Sequence, residues 1–130
     1  MIYVDTSALI KLVLEEAESM ALRRYLHALG TGSLVSSKLL AVEARRSVLR
    51  NRPAHLPAID VALDDVSMLD VSDPVIELAG RLPNPMLRSL DAIHLATALL
   101  IREDVDVLVS YDDRLTAAAA AHGLKTATPA

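Results

Sequence analysis

Apolar positions fall into short runs and helically spaced sets that alternate along the chain. Ile2 to Val4 is a short β-type run, and Thr6 or Ser7 can cap a helix carrying Leu9, Leu12 and Val13. After a break near Glu15, a second set (Ala21, Leu22, Leu26, Leu29) ends at Gly30, where helices stop readily. Ser33 to Ser36 predicts a second strand. Ser36 or Ser37 can then cap a helix through KLLAVEARRSVL to about Arg50, with Pro53 just beyond. Pro57 opens the helical stretch AIDVALDD, and a weak strand is expected around Ser67 to Val71. Ser72 or Asp73 before Pro74 is a strong start signal for the helix VIELAGRL.

Pro83, Asn84 and Pro85 mark a loop, after which Leu87 or Ser89 opens the long helix LDAIHLATALLIRE. Val105 to Val109 is nearly continuous in apolar residues, as in a strand buried on both faces. Tyr111 to Arg114 turn into the helix LTAAAAAHG with Gly123 at its end, and Leu124 to Thr128 can add an edge strand. Strands alternating with helices imply right-handed crossovers and a mostly parallel central sheet. The expected fold class is an α/β protein, a three-layer α/β/α sandwich.

With 130 residues and no internal repeat, residues 1–130 are expected to form one domain. The chain is 52% hydrophobic but 2% aromatic, with no Phe or Trp, so its core has to come from Leu, Val, Ile, Ala and Met. The absence of Cys excludes disulfides, thiolate metal sites and a Cys nucleophile. Asp5 interrupts the first apolar run, and Leu95 to Ile101 is too short to span a bilayer. A cytoplasmic protein with no membrane segment is expected. The formal net charge of −4 attracts no polyanion globally, but Arg45, Arg46, Arg50 and Arg52 crowd together, as a basic face or a solvated helix surface.

The candidate chemistry is acidic. Asp5 ends the first strand and Asp112 follows the strand LVS, so both face the edge where sites form in open parallel sheets. Asp91 lies in the first turn of the long helix, and Glu43 shares the inward stripe of Leu39 and Leu40. Each has a plain alternative: a helix cap for Asp5 and Asp112, a first-turn acid for Asp91, and an ion pair with Arg46 or Arg50 for Glu43. Taken together they need a counter-charge, since two carboxylates about 5 Å apart repel by roughly 3 kcal/mol at an effective dielectric near 20. Either shared protons or a cation meets that need. All-oxygen ligands favour Mg²⁺ or Mn²⁺, which would suit phosphodiester hydrolysis.

Four segments, MIYVDTSALIKL, SSKLLAVEARR, LRSLDAIHLATAL and LVSYDDRL, together resemble a PIN-domain ribonuclease, and more narrowly a VapC-type toxin of a toxin-antitoxin pair. The resemblance covers essentially the whole chain. It implies that Asp5, Glu43, Asp91 and Asp112 form an acidic quartet around one or two Mg²⁺ or Mn²⁺ ions. Thr6, Ser7 and Ser110 stand at hydroxyl positions beside the first and fourth acids, as possible support for a metal-bound water or a phosphate. It further implies an RNA substrate, a small cognate antitoxin protein that covers the acidic groove, and a homodimer or a hetero-oligomer with that antitoxin.

Arg46 and Arg50, after Glu43 on the same helix, are candidates for RNA or antitoxin contact. His94, one turn after Asp91, can face the site, but on the stripe of Leu90 and Ala98 it reads as a packed or partly exposed histidine; Tyr111 reads as a tyrosine near the substrate, and Asp113 as an adjacent acid without a clear role. A haloacid-dehalogenase-like phosphatase would need an acid where Ser7 stands and a mid-chain lysine, for which Lys38 is the only candidate. A receiver-like domain would need paired acids after the first strand, where Asp5 is single, and a late lysine placed earlier than Lys125. A catalytically inactive PIN-fold binding module is the remaining alternative.

Overall fold

In a computed structural model, residues 1–30 and 32–130 are described. Five strands, β1 (Ile2–Val4), β2 (Leu34–Ser37), β3 (Val66–Leu69), β4 (Val107–Val109) and β5 (Thr126–Ala127), form one sheet in the order β3-β2-β1-β4-β5. Every pairing is parallel, with Tyr3 opposite Val35 on one side and Leu108 on the other. The expected central sheet is therefore parallel throughout.

Period-two alternation in β1 and β4 divides the core. Ile2, Val4, Val107 and Val109 face a layer built by α1 (Thr6–Val13), α2 (Ser19–Leu29), α3 (Leu39–Asn51) and α4 (Leu56–Asp64). Tyr3, Val35 and Leu108 face the opposite layer of α6 (Ser89–Leu100) and α7 (Asp113–Ala121), with α5 (Asp73–Arg81) packed on α6. Central strands buried on both faces explain why their sequences are continuously apolar. This is the α/β/α sandwich. No helix among the described residues is long and apolar enough to cross a membrane.

Boundaries differ from expectation where side chains or turns compete for the backbone. The cap of α1 is Asp5, not Thr6 or Ser7, because its carboxylate reaches the amide of Ala8. Ser37 accepts from the amide of Leu39, and the helix starts there, with Lys38 at its boundary. The long helix stops at Leu100, and residues 102–104 form a 3₁₀ turn that shortens β4 to its last three residues. Gly30 and Gly123 adopt φ of 85° and 87°, the left-handed turn that ends α2 and follows α7 at little cost only for glycine.

Candidate active site

The sheet order reverses between β1 and β4, which leave their carboxyl ends side by side under diverging helices. That crevice is where open α/β sheets place ligands. Asp5 and Ser110 are the first residues past these two strands.

Asp5 is 5% exposed yet carries three donors. Its Oδ1 accepts from the Ser7 hydroxyl at 2.7 Å and the Ala8 amide at 3.0 Å, and its Oδ2 accepts from the Ser110 hydroxyl at 2.7 Å. The cap and the buried acid are thus one residue. Burial pushes the carboxyl above its usual range, and these donors pull it back down.

The same hydroxyls tie Asp5 to the fourth acid. Ser110 Oγ accepts from the Asp112 amide at 3.0 Å, while Ser7 Oγ accepts from the Tyr111 amide at 2.9 Å. Asp112 Oδ1 caps α7 through the amides of Arg114 and Leu115. Its other oxygen, Oδ2, accepts from the Arg88 guanidinium at 3.4 Å. Arg88 also donates from Nε to Asp91 Oδ2 at 3.5 Å, so one cation bridges two acids from different elements. Burial raises the Asp91 carboxyl above its ordinary range, and the charge of Asp112 raises it further.

Glu43 completes the group from α3. Its Oε1 accepts from Thr6 Oγ1 at 2.8 Å and from His94 Nε2 at 2.6 Å. A carboxylate only accepts, so Nε2 carries the hydrogen, and in that tautomer Nδ1 accepts from the Tyr3 hydroxyl at 2.8 Å. No donor reaches Oε2 among the described residues. Glu43, Arg88, Ser89, Leu90 and Asp91 line a cavity of about 310 Å³.

The structure therefore brings all four acids to one edge, linked as Asp5–Ser110–Asp112, Asp112–Arg88–Asp91 and Glu43–His94–Tyr3. Thr6, Ser7 and Ser110 hold the acids themselves. Arg46 is exposed and makes no ion pair among the described residues. Tyr111 lies beside the site, but its hydroxyl donates to the Pro129 carbonyl, and Asp113 is the exposed first residue of α7. Sequence reasoning gave Arg88 no role, although it stands three residues before Asp91, the spacing of neighbours on a helix face. It favoured His94 as a packed or partly exposed histidine over one that faces the site. His94 is 1% exposed, and it spends both ring nitrogens on hydrogen bonds.

Among the described residues, no three His, Asp or Glu side chains stand as a ready ligand set for one ion. Glu43 turns Oε1 toward Thr6 and His94, and the Arg88 guanidinium bridges Asp91 and Asp112. Donor chemistry nonetheless suits a hard divalent cation, with carboxylate and hydroxyl oxygens only, and the site already demands positive charge.

A family model for the PIN domain matches residues 2–121. The chain is 42% identical over 132 aligned residues to Ribonuclease VapC47 of Mycobacterium tuberculosis, covering 99% of this chain and 97% of the relative. Among solved structures, it superimposes on a toxin-antitoxin complex from Klebsiella pneumoniae with a TM-score of 0.75 and 22% identity, covering 100% of this chain and 98% of that one. The crystal structure of Mycobacterium tuberculosis VapC20, described as a sarcin-ricin loop cleaving toxin, gives a TM-score of 0.70 at 19% identity, covering 95% and 96%. At such identities the likeness of the two structures is one of fold.

Proposed function

The chain belongs to the PIN-domain family, and from that premise we propose that it is an endoribonuclease toxin whose hydrolysis of RNA phosphodiester bonds depends on Mg²⁺ or Mn²⁺. The observation that carries this reading is the gathering of Asp5, Glu43, Asp91 and Asp112 at the switch point of the sheet, with a cation already bridging two of them. Those four acids would hold the ion. When bound, it supplies an activated water and charge neutralisation at phosphorus.

The protein's own groups prepare that chemistry. Ser7, Ser110 and the Ala8 amide favour the ionised form of Asp5 against its burial, keeping an anion where the loops converge. Tyr3 fixes the His94 tautomer, and His94 with Thr6 fixes Glu43 Oε1, which leaves Oε2 for a ligand. Because four carboxylates repel a polyanion, phosphate has to be met by nearby arginines. Arg88 at the cavity and Arg46, one turn along α3 from Glu43, are the candidates. Only three tyrosines are available for base stacking, so backbone and shape contacts are expected to dominate RNA recognition.

A small cognate antitoxin protein covering the acidic groove is the expected inhibitor, in keeping with the toxin-antitoxin assembly of the Klebsiella pneumoniae structure. The toxin acts in the cytoplasm, as a homodimer or as a hetero-oligomer with the antitoxin. The deciding experiment incubates antitoxin-free protein with total RNA plus Mg²⁺ or Mn²⁺, or plus a chelator, and repeats it with Asp5→Asn and Asp91→Asn. Cleavage is expected only with metal and intact acids. Cutting that persists in chelator or in both variants overturns the mechanism, and no cutting in any arm leaves an inactive binding module.

A further inference from the structure

We propose that Arg88 is an internal stand-in for the divalent cation, neutralising Asp91 and Asp112 in the metal-free protein and withdrawing when an ion binds. The inference rests on the metal-dependent reading given above. It concerns an exchange at the acids rather than the reaction.

The four acids are satisfied in two different ways. Asp5 and Glu43 are held by hydroxyls, an amide and an imidazole, all fixed in or beside the core. Asp91 and Asp112 instead share one charged partner, which contacts Oδ2 of each at 3.5 and 3.4 Å. Asp112 spends Oδ1 on capping α7, so Arg88 occupies the oxygen that Asp112 has left to offer an ion. Arg88 and a metal ion therefore compete for the same atoms.

Three features make the occupant displaceable. Arg88 immediately precedes α6, where its backbone is extended (φ −75°, ψ 160°), and it makes no side-chain cap bond to the helix. Its side chain is 67% exposed, whereas those of Asp91 and Asp112 are 14% and 21% exposed, so the cation sits at the mouth and the acids behind it. Both contacts lie at the long end of the hydrogen-bond range, and solvent-screened pairs of this kind are weak. Arginine does not lose its proton in proteins, so Arg88 leaves the acids by displacement and not by titration. Competition is reciprocal: whatever holds Arg88 in place weakens metal binding, and metal binding frees Arg88.

The test titrates Mn²⁺ alone into chelator-stripped protein by calorimetry, comparing wild type, Arg88→Gln and Arg114→Gln. Arg114 is an exposed arginine on α7 with no ion pair among the described residues, and its replacement removes the same charge. Arg88→Gln is expected to bind Mn²⁺ about 3- to 10-fold tighter, and Arg114→Gln to stay within about twofold of wild type. In parallel, Arg88→Gln should melt below wild type without metal, and the two should melt together under saturating Mn²⁺. Equal or weaker binding by Arg88→Gln, or equal gains in both variants, overturns the proposal. Failure of wild type itself to bind Mn²⁺ overturns the metal-dependent reading on which it rests.

Discussion

Replacing Ser110 by Ala tests the buried half of the acidic network directly. Ser110 is fully buried, donates to Asp5 Oδ2 at 2.7 Å and accepts from the Asp112 amide at 3.0 Å. Truncation removes a hydrogen bond to a charged group, worth roughly 1.5–3 kcal/mol, and leaves the Asp112 amide without its acceptor, adding about 1 kcal/mol. The total is about 2.5–4 kcal/mol, or roughly 9–15 °C in melting temperature at this chain length. The loss should also depend on pH. Burial raises the Asp5 carboxyl and Ser110 is the largest influence lowering it, so the bond stabilises only the ionised form. That stabilisation is fully present above the raised pKa and fades as pH falls through it toward the ordinary carboxylate range. Circular-dichroism melts in chelator at pH 7.5 and 4.5 should show the wider gap between wild type and Ser110→Ala at pH 7.5. A gap below about 1 kcal/mol, or one that does not narrow on acidification, would refute the assigned network.

His94→Ala should destabilise by about 3–5 kcal/mol, because it opens a buried void and leaves Tyr3 O–H and Glu43 Oε1 each one partner short. His94→Gln should recover part of this in the same denaturant titration. Tyr3→Phe keeps the shape but strips the donor from His94 Nδ1, for a loss of about 1–3 kcal/mol, and ¹⁵N chemical shifts of His94 should report a change in tautomer balance. Asp91→Asn should raise the melting temperature in chelator at pH 7.5, since burial and Asp112 disfavour the Asp91 charge. For a carboxyl raised in the folded state, stability is fully present below the unfolded pKa and is lost as pH rises through the folded value, so this gain should shrink toward pH 4. A gain that grows on acidification would contradict the assigned electrostatics.

What the sequence disclosed was whatever depends on local pattern. The alternation of short apolar runs with helical sets located all five strands and seven α-helices of the described chain, and the strand-end positions of Asp5 and Asp112 followed from it. Boundaries failed where one backbone group had two possible partners. Asp5 took the cap of α1 from Thr6 and Ser7 because its own carboxylate, pinned by Ser110 just past β4, already lay over the Ala8 amide. Arg88 stayed hidden for a similar reason: its significance comes from Asp112, 24 residues away, which only the packing of α6 and α7 beside β4 brings into reach. His94 was hidden by its neighbours, since a histidine on a stripe with Leu90 and Ala98 has the pattern of packing. Its hydrogen-bonding role shows only once Tyr3 and Glu43 close on its two nitrogens.

The plain alternatives for the acids turn out not to compete with a shared site. Asp5 and Asp112 are both helix caps, and in each the capping role consumes Oδ1 while Oδ2 points along the network. A carboxylate has about four lone-pair sites, so a cap leaves capacity for a second partner. Capping also fixes the side chain's rotamer, and fixed rotamers hold an anion beside other anions that would otherwise drive it away. The helix N-termini add their partial positive charge at the same point, stabilising the ionised acids. Asp91 and Glu43, one in the first turn of α6 and the other in the body of α3, lack a cap bond and rely on Arg88 and on the pair of Thr6 and His94. The fold thus supplies half of the counter-charge from backbone and hydroxyl donors that cannot leave. The other half comes from Arg88, an exposed side chain that bridges Asp91 and Asp112.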